Sequence, residues 1–202
     1  QQLTTLAGIP FYQGDTGSIY THDVSGTDDT ATGNTAYGIN ALDAVTTADN
    51  CVAIGRDALG ANTTGIQNVS VGTNTLTANT TGQENVAIGH AALTANTTGN
   101  ANLAIGASAL DANTTGTRNT AIGYQAYTAS DTENDNLAIG YEALGVNTAG
   151  GTKLLAIGNY ALDAATSGDQ NVAVGYAALG ATTTGENNTA VGVDALLTNS
   201  TG

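Results

Sequence analysis

Tryptophan and methionine are absent from this 202-residue chain, and it has one phenylalanine, one proline, one cysteine and only three lysine plus arginine residues. Each scarcity excludes something. Large aromatic side chains normally dominate thick cores. Here apolar residues make up 41% of the chain, and most of them are Ala, Val, Ile and Leu. That composition suits many thin, similar layers. Three cations against 17 acids give a formal net charge of −14. Such a balance argues against nucleic acid, whose binding neutralises phosphates with Lys and Arg, and against an anionic membrane surface. No apolar run approaches a bilayer span. A lone Cys51 makes an intramolecular disulfide impossible and reads as a small buried thiol. The chain begins at Gln1 with no visible signal peptide, so a processed chain or a segment of a longer one is expected.

What is abundant is one short phrase, rewritten. Anchored on the glycine that ends each "AIG"-like word, copies fall at Gly38, Gly55, Gly72, Gly89, Gly106, Gly123, Gly140, Gly158, Gly175 and Gly192. Every step is 17 residues except one of 18, whose extra residue falls near Gly150-Gly151, where a small bulge would absorb it. The consensus is N-[VTL]-A-[IV]-G-x-x-A-L-x-x-N-T-T-G-x-x. Ala stands two residues before every anchor except at Ser70, and three after every anchor except at Thr75. The next position is Leu everywhere except Tyr127. A period this faithful is the mark of a repeat architecture.

Seventeen residues are too few for a pair of helices. "NVAIG", rich in β-branched residues, predicts a short strand. A second short extended piece is expected around "AL", and "NTTG" predicts a turn. The expected fold is all-β, a parallel β-solenoid or β-roll of ten 17-residue coils. Stacked at the inter-strand spacing, ten coils reach about 45 Å. Residues 34–202 form this shaft. Residues 1–33, which hold Pro10, Phe11, Tyr12 and Tyr20, are expected to be an N-terminal cap or connecting segment. An uncapped final coil would be adhesive, so the polypeptide is expected to continue past Gly202.

Side chains alternate across a strand, so Val86 and Ile88 point one way and Ala87 the other. Both faces are apolar. The small face is therefore expected to press on an identical neighbouring chain. Its column is Ala36, Ala53, Ser70, Ala87, Ala104, Ala121, Ala138, Ala156, Ala173 and Ala190.

The words "NVAIGHAA", "NTAIGYQA" and "NVAVGYAA" resemble the head repeats of trimeric autotransporter adhesins, which form parallel β-rolls that associate as trimers. Arrays of the type "NTAIGYxAL…NTTG" also resemble repeats in bacteriophage tail fibre and tail-spike-like proteins. The resemblance covers residues 34–202 and implies a homotrimer, intertwined or side by side. It implies a structural shaft of a tail fibre in the virion tail, supporting host-receptor recognition among other virion proteins. The alternative that it implies is a bacterial cell-surface adhesin head binding a host or environmental ligand. The repeat is longer than the autotransporter one, so the hand of the coil does not transfer.

No catalytic arrangement stands out, and a non-enzyme without cofactor or metal is expected. His22 and His90 lie far apart, and the His90 column also accepts Arg56, Thr73, Ala107 and Tyr124. No phosphate loop, nucleophile elbow or zinc-protease word occurs. Asp43, Asp111 and Asp163 share a column with Gly60, Thr77 and others, too interrupted for a calcium ladder. Thr stands eight residues after eight of the anchors, at Thr46, Thr63, Thr80, Thr97, Thr114, Thr148, Thr166 and Thr183. An ice-binding solenoid is the third reading, although adjacent Thr in a turn do not share one face. The simpler reading is turn-stabilising hydrogen bonding. Stacked Asn68, Asn85, Asn102, Asn119 and Asn136 predict an amide ladder, broken by Cys51 and Leu154. Asn62, Asn79, Asn96 and Asn113 sit in N-x-T words that would be glycosylated only in a eukaryotic secretory setting. Tyr124, Tyr141, Tyr176 and nearby Tyr127 form a candidate surface for a cell-surface glycan or receptor. The inward direction given to the alanine column has a direct test. Ala104→Leu is expected to weaken the trimer more than Ala107→Leu, as read by sedimentation.

Overall fold

Each V-A-I-G word forms a three-residue strand, because β-branched side chains suit a pleated surface and the anchor glycine then breaks the run. The computed structural model describes the backbone of residues 4–6, 9–13 and 19–20, and residues 30–129, 131–146 and 150–198 in full. Three strands come first: β1 (Thr4–Leu6), β2 (Ile9–Gln13) and β3 (Ile19–Tyr20). The ten repeat strands are β4 (Thr35–Tyr37), β5 (Val52–Ile54), β6 (Val69–Val71), β7 (Val86–Ile88), β8 (Leu103–Ile105), β9 (Thr120–Ile122), β10 (Leu137–Ile139), β11 (Leu155–Ile157), β12 (Val172–Val174) and β13 (Thr189–Val191). β4 to β13 stack parallel, in chain order, in one sheet. Ala87 lies on Ala104 and Ala104 on Ala121. This is the expected β-solenoid. β1 and β2 pair antiparallel, β3 pairs antiparallel with β2, and β3 then runs parallel to β4. The edge of the first coil is therefore paired by the N-terminal segment.

The 18-residue step is absorbed outside the strands. Leu137 pairs with Leu155, 18 residues on, yet Thr128 Oγ1 still donates to Gly145 O at the usual spacing. Asn136 Nδ2 donates to Gly151 O, one residue later than the equivalent bond in other coils. The extra residue thus lies between Gly145 and Gly151, in the connecting loop.

The segment around "AL" differs from the expected extended piece. Ala58 and Leu59 are both fully buried, as are Ala92 and Leu93. Consecutive side chains of a strand point to opposite faces, so a strand cannot bury both. The chain instead alternates its hand, with φ of 58° at Asp57 and 51° at Leu59. Asp57 N–H donates back to Ile39 O of the preceding coil, and Leu59 N–H donates forward to Thr75 O of the following one. A left-handed leucine costs about 1–2 kcal/mol. Burying its side chain returns about 1.5–3 kcal/mol, so the inward turn is tolerated. The anchor glycines allow no such compromise. A Cβ on Gly106, at φ 133°, would stand 2.3 Å from Gly123 O of the next coil.

Coil closure also decides which way the strands face, and here the expectation is reversed. Ala36, Ala53, Ser70, Ala87, Ala104, Ala121, Ala138, Ala156, Ala173 and Ala190 are buried within the single chain, none more than 3% exposed. They do not face a neighbour. The strand column meets the column three residues after the anchor inside the coil, as the Ser70–Thr75 contact shows, and it holds only methyl groups and one hydroxyl. Ala104→Leu would therefore overfill the chain's own core. The outward positions are the Val and Ile flanks: Val86 is half-buried and Ile88 exposed.

Buried amides tie the coils together as expected, though mostly through backbone partners. Asn68 Oδ1 accepts from Asn85 N–H at 2.9 Å, and Asn68 Nδ2 donates to Gly82 O at 2.7 Å. Each amide thus clamps the loop that enters the next strand, and the pattern recurs at Asn85, Asn102 and Asn119. Cys51 replaces one of these amides, and its Sγ donates to Gly65 O at 3.3 Å, the carbonyl an Asn would reach. Burial pushes its thiol pKa up. A second ladder runs through Asn62, Asn79, Asn96 and Asn113, the last three each donating Nδ2–H to the preceding Oδ1 at 2.8–2.9 Å. These four N-x-T asparagines are fully buried, so the folded chain offers none of them for glycosylation.

The two departures from the alanine columns explain each other. Ser70 and Thr75 belong to one coil, are fully buried, and their hydroxyls bond one another. Thr75 Oγ1 also donates to Gly72 O at 2.9 Å. Either hydroxyl alone would keep a backbone carbonyl, Thr75 O for Ser70 and Gly72 O for Thr75, and lose the bond between the two. Ser70→Ala and Thr75→Ala are each expected to destabilise, with the double variant recovering part of the loss and a coupling of about 1–2 kcal/mol in denaturant titrations.

Candidate functional site

Two features of the outer surface could meet a partner. The first is the outward face of the sheet. Two largely apolar columns, typified by Val86 and Ile88, run along β4–β13; the first includes Thr35, Thr120 and Thr189, and the second runs from Tyr37 at 54% exposed to Val191 at 70%. In the middle of the stack each side chain is partly shielded by the same residue of the coils above and below.

The second is a tyrosine ladder on the residues that follow the anchors. Tyr124, Tyr141 and Tyr176 are exposed, at 49%, 40% and 51%. Tyr124 and Tyr141 stack with ring centroids 5.3 Å apart and planes 16° from parallel. The coil of Gly158 carries Asn159 in the tyrosine column, and Tyr160, one position on, bridges the gap. It meets Tyr141 edge-on at 5.4 Å and Tyr176 edge-on at 5.7 Å. A column-by-column reading misses Tyr160, because it belongs to the neighbouring column. The fourth proposed contact, Tyr127, is a correction. It occupies the leucine column, is fully buried, and its hydroxyl accepts from Asn136 Nδ2. Its inward direction follows from the same turn that buries leucine.

Beside the ladder lies a depression of about 280 Å³, lined by Gln125, Thr128, Glu142, Gly145, Val146 and Asp163. Gly145 stands between Thr128 and Asp163 in one column, and its missing side chain makes the dent. Tyr141 shares a hydrogen bond with the Glu142 carboxylate, which, with desolvation, pushes its pKa up to about 12. Desolvation, then the nearby Glu142 charge, raises the Asp163 pKa.

The remaining candidates resolve simply. His90 is exposed, and His22 lies outside the described residues. Among the described residues no group of three His, Cys, Asp or Glu could hold a metal ion, and no helix is long and apolar enough to cross a membrane. The threonine hydroxyls are spent along the axis: Thr63 Oγ1 donates to Thr80 O, and Thr80 Oγ1 to Thr97 O, both at 3.1 Å. Thr46, Thr97, Thr114 and Thr166 do likewise, while Thr148 lies outside the described residues. Such a ladder supports the turn reading over an ice-binding face.

Asp163 supplies a pH test. Its folded pKa lies above the ordinary value of 3.8, so the folded state holds its proton more tightly than the unfolded chain does. The carboxyl therefore favours folding at low pH, and that benefit is lost as pH rises through the folded pKa. Asp163→Asn is expected to raise the melting temperature at pH 7 and leave it nearly unchanged at pH 3, as read by circular dichroism.

Compared with family models, curated proteins and solved structures, the chain matches none, so its function is argued from its own residues.

Proposed function

We propose that this chain is a non-enzymatic shaft segment, a rigid spacer that associates with identical chains, of the kind a phage tail fibre uses to hold a host-recognition tip away from the particle. The observation that carries this reading is the outward aliphatic face. A soluble monomer covers a sheet's outer face with polar side chains. Here the interior is closed within one chain, yet the outer face is mostly Val, Ile and Leu, with Thr35, Thr120 and Thr189 its polar members. At about 4.8 Å per coil the stripe is about 45 Å long.

A three-chain assembly with the axes parallel sets equivalent coils at one height, so each Val and Ile meets its own kind. That symmetry satisfies three chains with one surface. Scaffold chemistry, with the buried asparagines used to bond neighbouring coils, further supports spacing over catalysis. The tyrosine ladder favours a second reading, a bacterial surface adhesin whose own side binds a ligand.

The test is sedimentation velocity of the chain and two variants. The unaltered chain is expected to sediment as a trimer at micromolar concentration. Ile105→Asp combined with Ile122→Asp should give a monomer that keeps its β-sheet circular dichroism, whereas Ala104→Leu should lose the fold itself. A monomeric unaltered chain would remove the basis of the proposal.

A further inference from the structure

From the coil of Gly55 to the coil of Gly106, each turn passes its backbone donors forward. Thr63, Thr80, Thr97 and Thr114 donate N–H to the carbonyl of the same column in the next coil, at 2.8–3.0 Å. Thr64, Thr81, Thr98 and Thr115 donate to those same carbonyls at 3.2–3.3 Å. The coil of Gly123 departs from this. Its equivalent donors, Asp131 N–H and Thr132 N–H, turn back within the coil to the Glu133 carboxylate, at 2.9 and 3.1 Å. Glu133 stands where earlier coils carry Gly65, Gly82, Gly99 and Gly116, and it is buried, 7% exposed. Two more substitutions fall in the same coil. Ser130 stands in the column of Asn62 to Asn113. Tyr127 stands in the leucine column, with its hydroxyl accepting from Asn136 Nδ2. Just beyond, Leu154 N–H donates to Asn136 Oδ1 at 2.8 Å, and its side chain has no oxygen to carry that ladder on.

We infer that the coil of Gly123 is an internal cap: it closes the first six coils into one cooperative block, and the coils from Gly158 onward form a second block that opens first. The blocks stay joined through the sheet, Thr120 to Leu137 and Leu137 to Leu155, and through Tyr127 N–H to Ala143 O. The argument lies in what each opening breaks. Stability in a stacked array is the sum of coil and interface contributions, so the array parts where the interface holds least. Between earlier coils a break strips two turn N–H groups, a threonine hydroxyl and a fully buried asparagine of partners in the neighbouring coil. A buried group left unpaired is costly. Parting after the coil of Gly123 leaves Asp131 and Thr132 still bonded to Glu133. The six-coil state is therefore better satisfied than one broken between earlier coils. The inference concerns one chain and holds whatever the number of chains in the shaft.

Hydrogen exchange of the full chain, read by mass spectrometry along a urea titration, tests it. Peptides covering β11 and β12 are expected to lose protection together at one midpoint, and those covering β6 to β9 together at a higher one. Without urea their protection should differ at least tenfold. Glu133→Ala should lower the β6–β9 midpoint and leave that of β11 and β12 in place, because the bonds it removes survive the first opening. Glu133→Gln, which keeps an acceptor oxygen, should fall between Glu133→Ala and the unaltered chain. Ala173→Gly, inside β12, should lower the β11–β12 midpoint alone. If Glu133→Ala does not fold, the unaltered chain and Ala173→Gly decide. A single midpoint for all these strands overturns the inference. So does a graded loss, coil by coil from the C-terminal end, which is fraying and needs no cap. Equal shifts of both midpoints by Glu133→Ala or by Ala173→Gly overturn it as well.

Discussion

Axial hydrogen bonding at a spacing of 17 residues is the constraint on which the rest depends. Strand amides, many turn amides, the two asparagine ladders and the threonine hydroxyls point along the stack and find partners one coil away. No coil satisfies these groups alone. A buried amide left without its partner costs about 1–3 kcal/mol, so a coil out of register would lose more than its thin apolar filling returns. Stability in such an array is the sum of each coil and its interface with its neighbours. This accounts for a described core that holds together with one large aromatic side chain, Tyr127.

The close axial approach dictates the residues that vary least. The anchor must be glycine because the carbonyl of the next coil occupies the place of a Cβ. Ala and Leu must follow three and four residues later because two adjacent side chains turn inward there. Where the pattern breaks, the break is matched nearby. Ser70 meets Thr75, Tyr127 reaches Asn136, and Cys51 takes over the carbonyl of an absent amide. The one inserted residue is kept in a loop, where it leaves the pairing on both sides undisturbed.

With the interior so fully specified, freedom remains only outside, and the two outer features differ in kind. The outer columns, aliphatic apart from Thr35, Tyr37, Thr120 and Thr189, extend through all ten coils, as the proposed contact between parallel chains requires. The tyrosines occupy four coils only. The long lateral face is the feature on which the proposed spacing role rests.

Much of this was legible in the residues. The period, the strand word, the turn word, the place of the insertion and the stacking of Asn68 through Asn136 follow from chemistry repeated at fixed spacing, which needs no knowledge of the third dimension. The direction of the strands was not legible. A V-A-I word has two apolar faces, and alternation says only that they are opposite. Closure of the coil placed alanine inside, because the adjacent Ala and Leu of the turn already fill the space across from it. The same closure buried Tyr127 while Tyr124, three residues earlier, stayed outside. It also let Tyr160 complete a ladder from the neighbouring column. Repetition along the chain determined what stacks upon what, and only the curvature of each coil decided which side faces in.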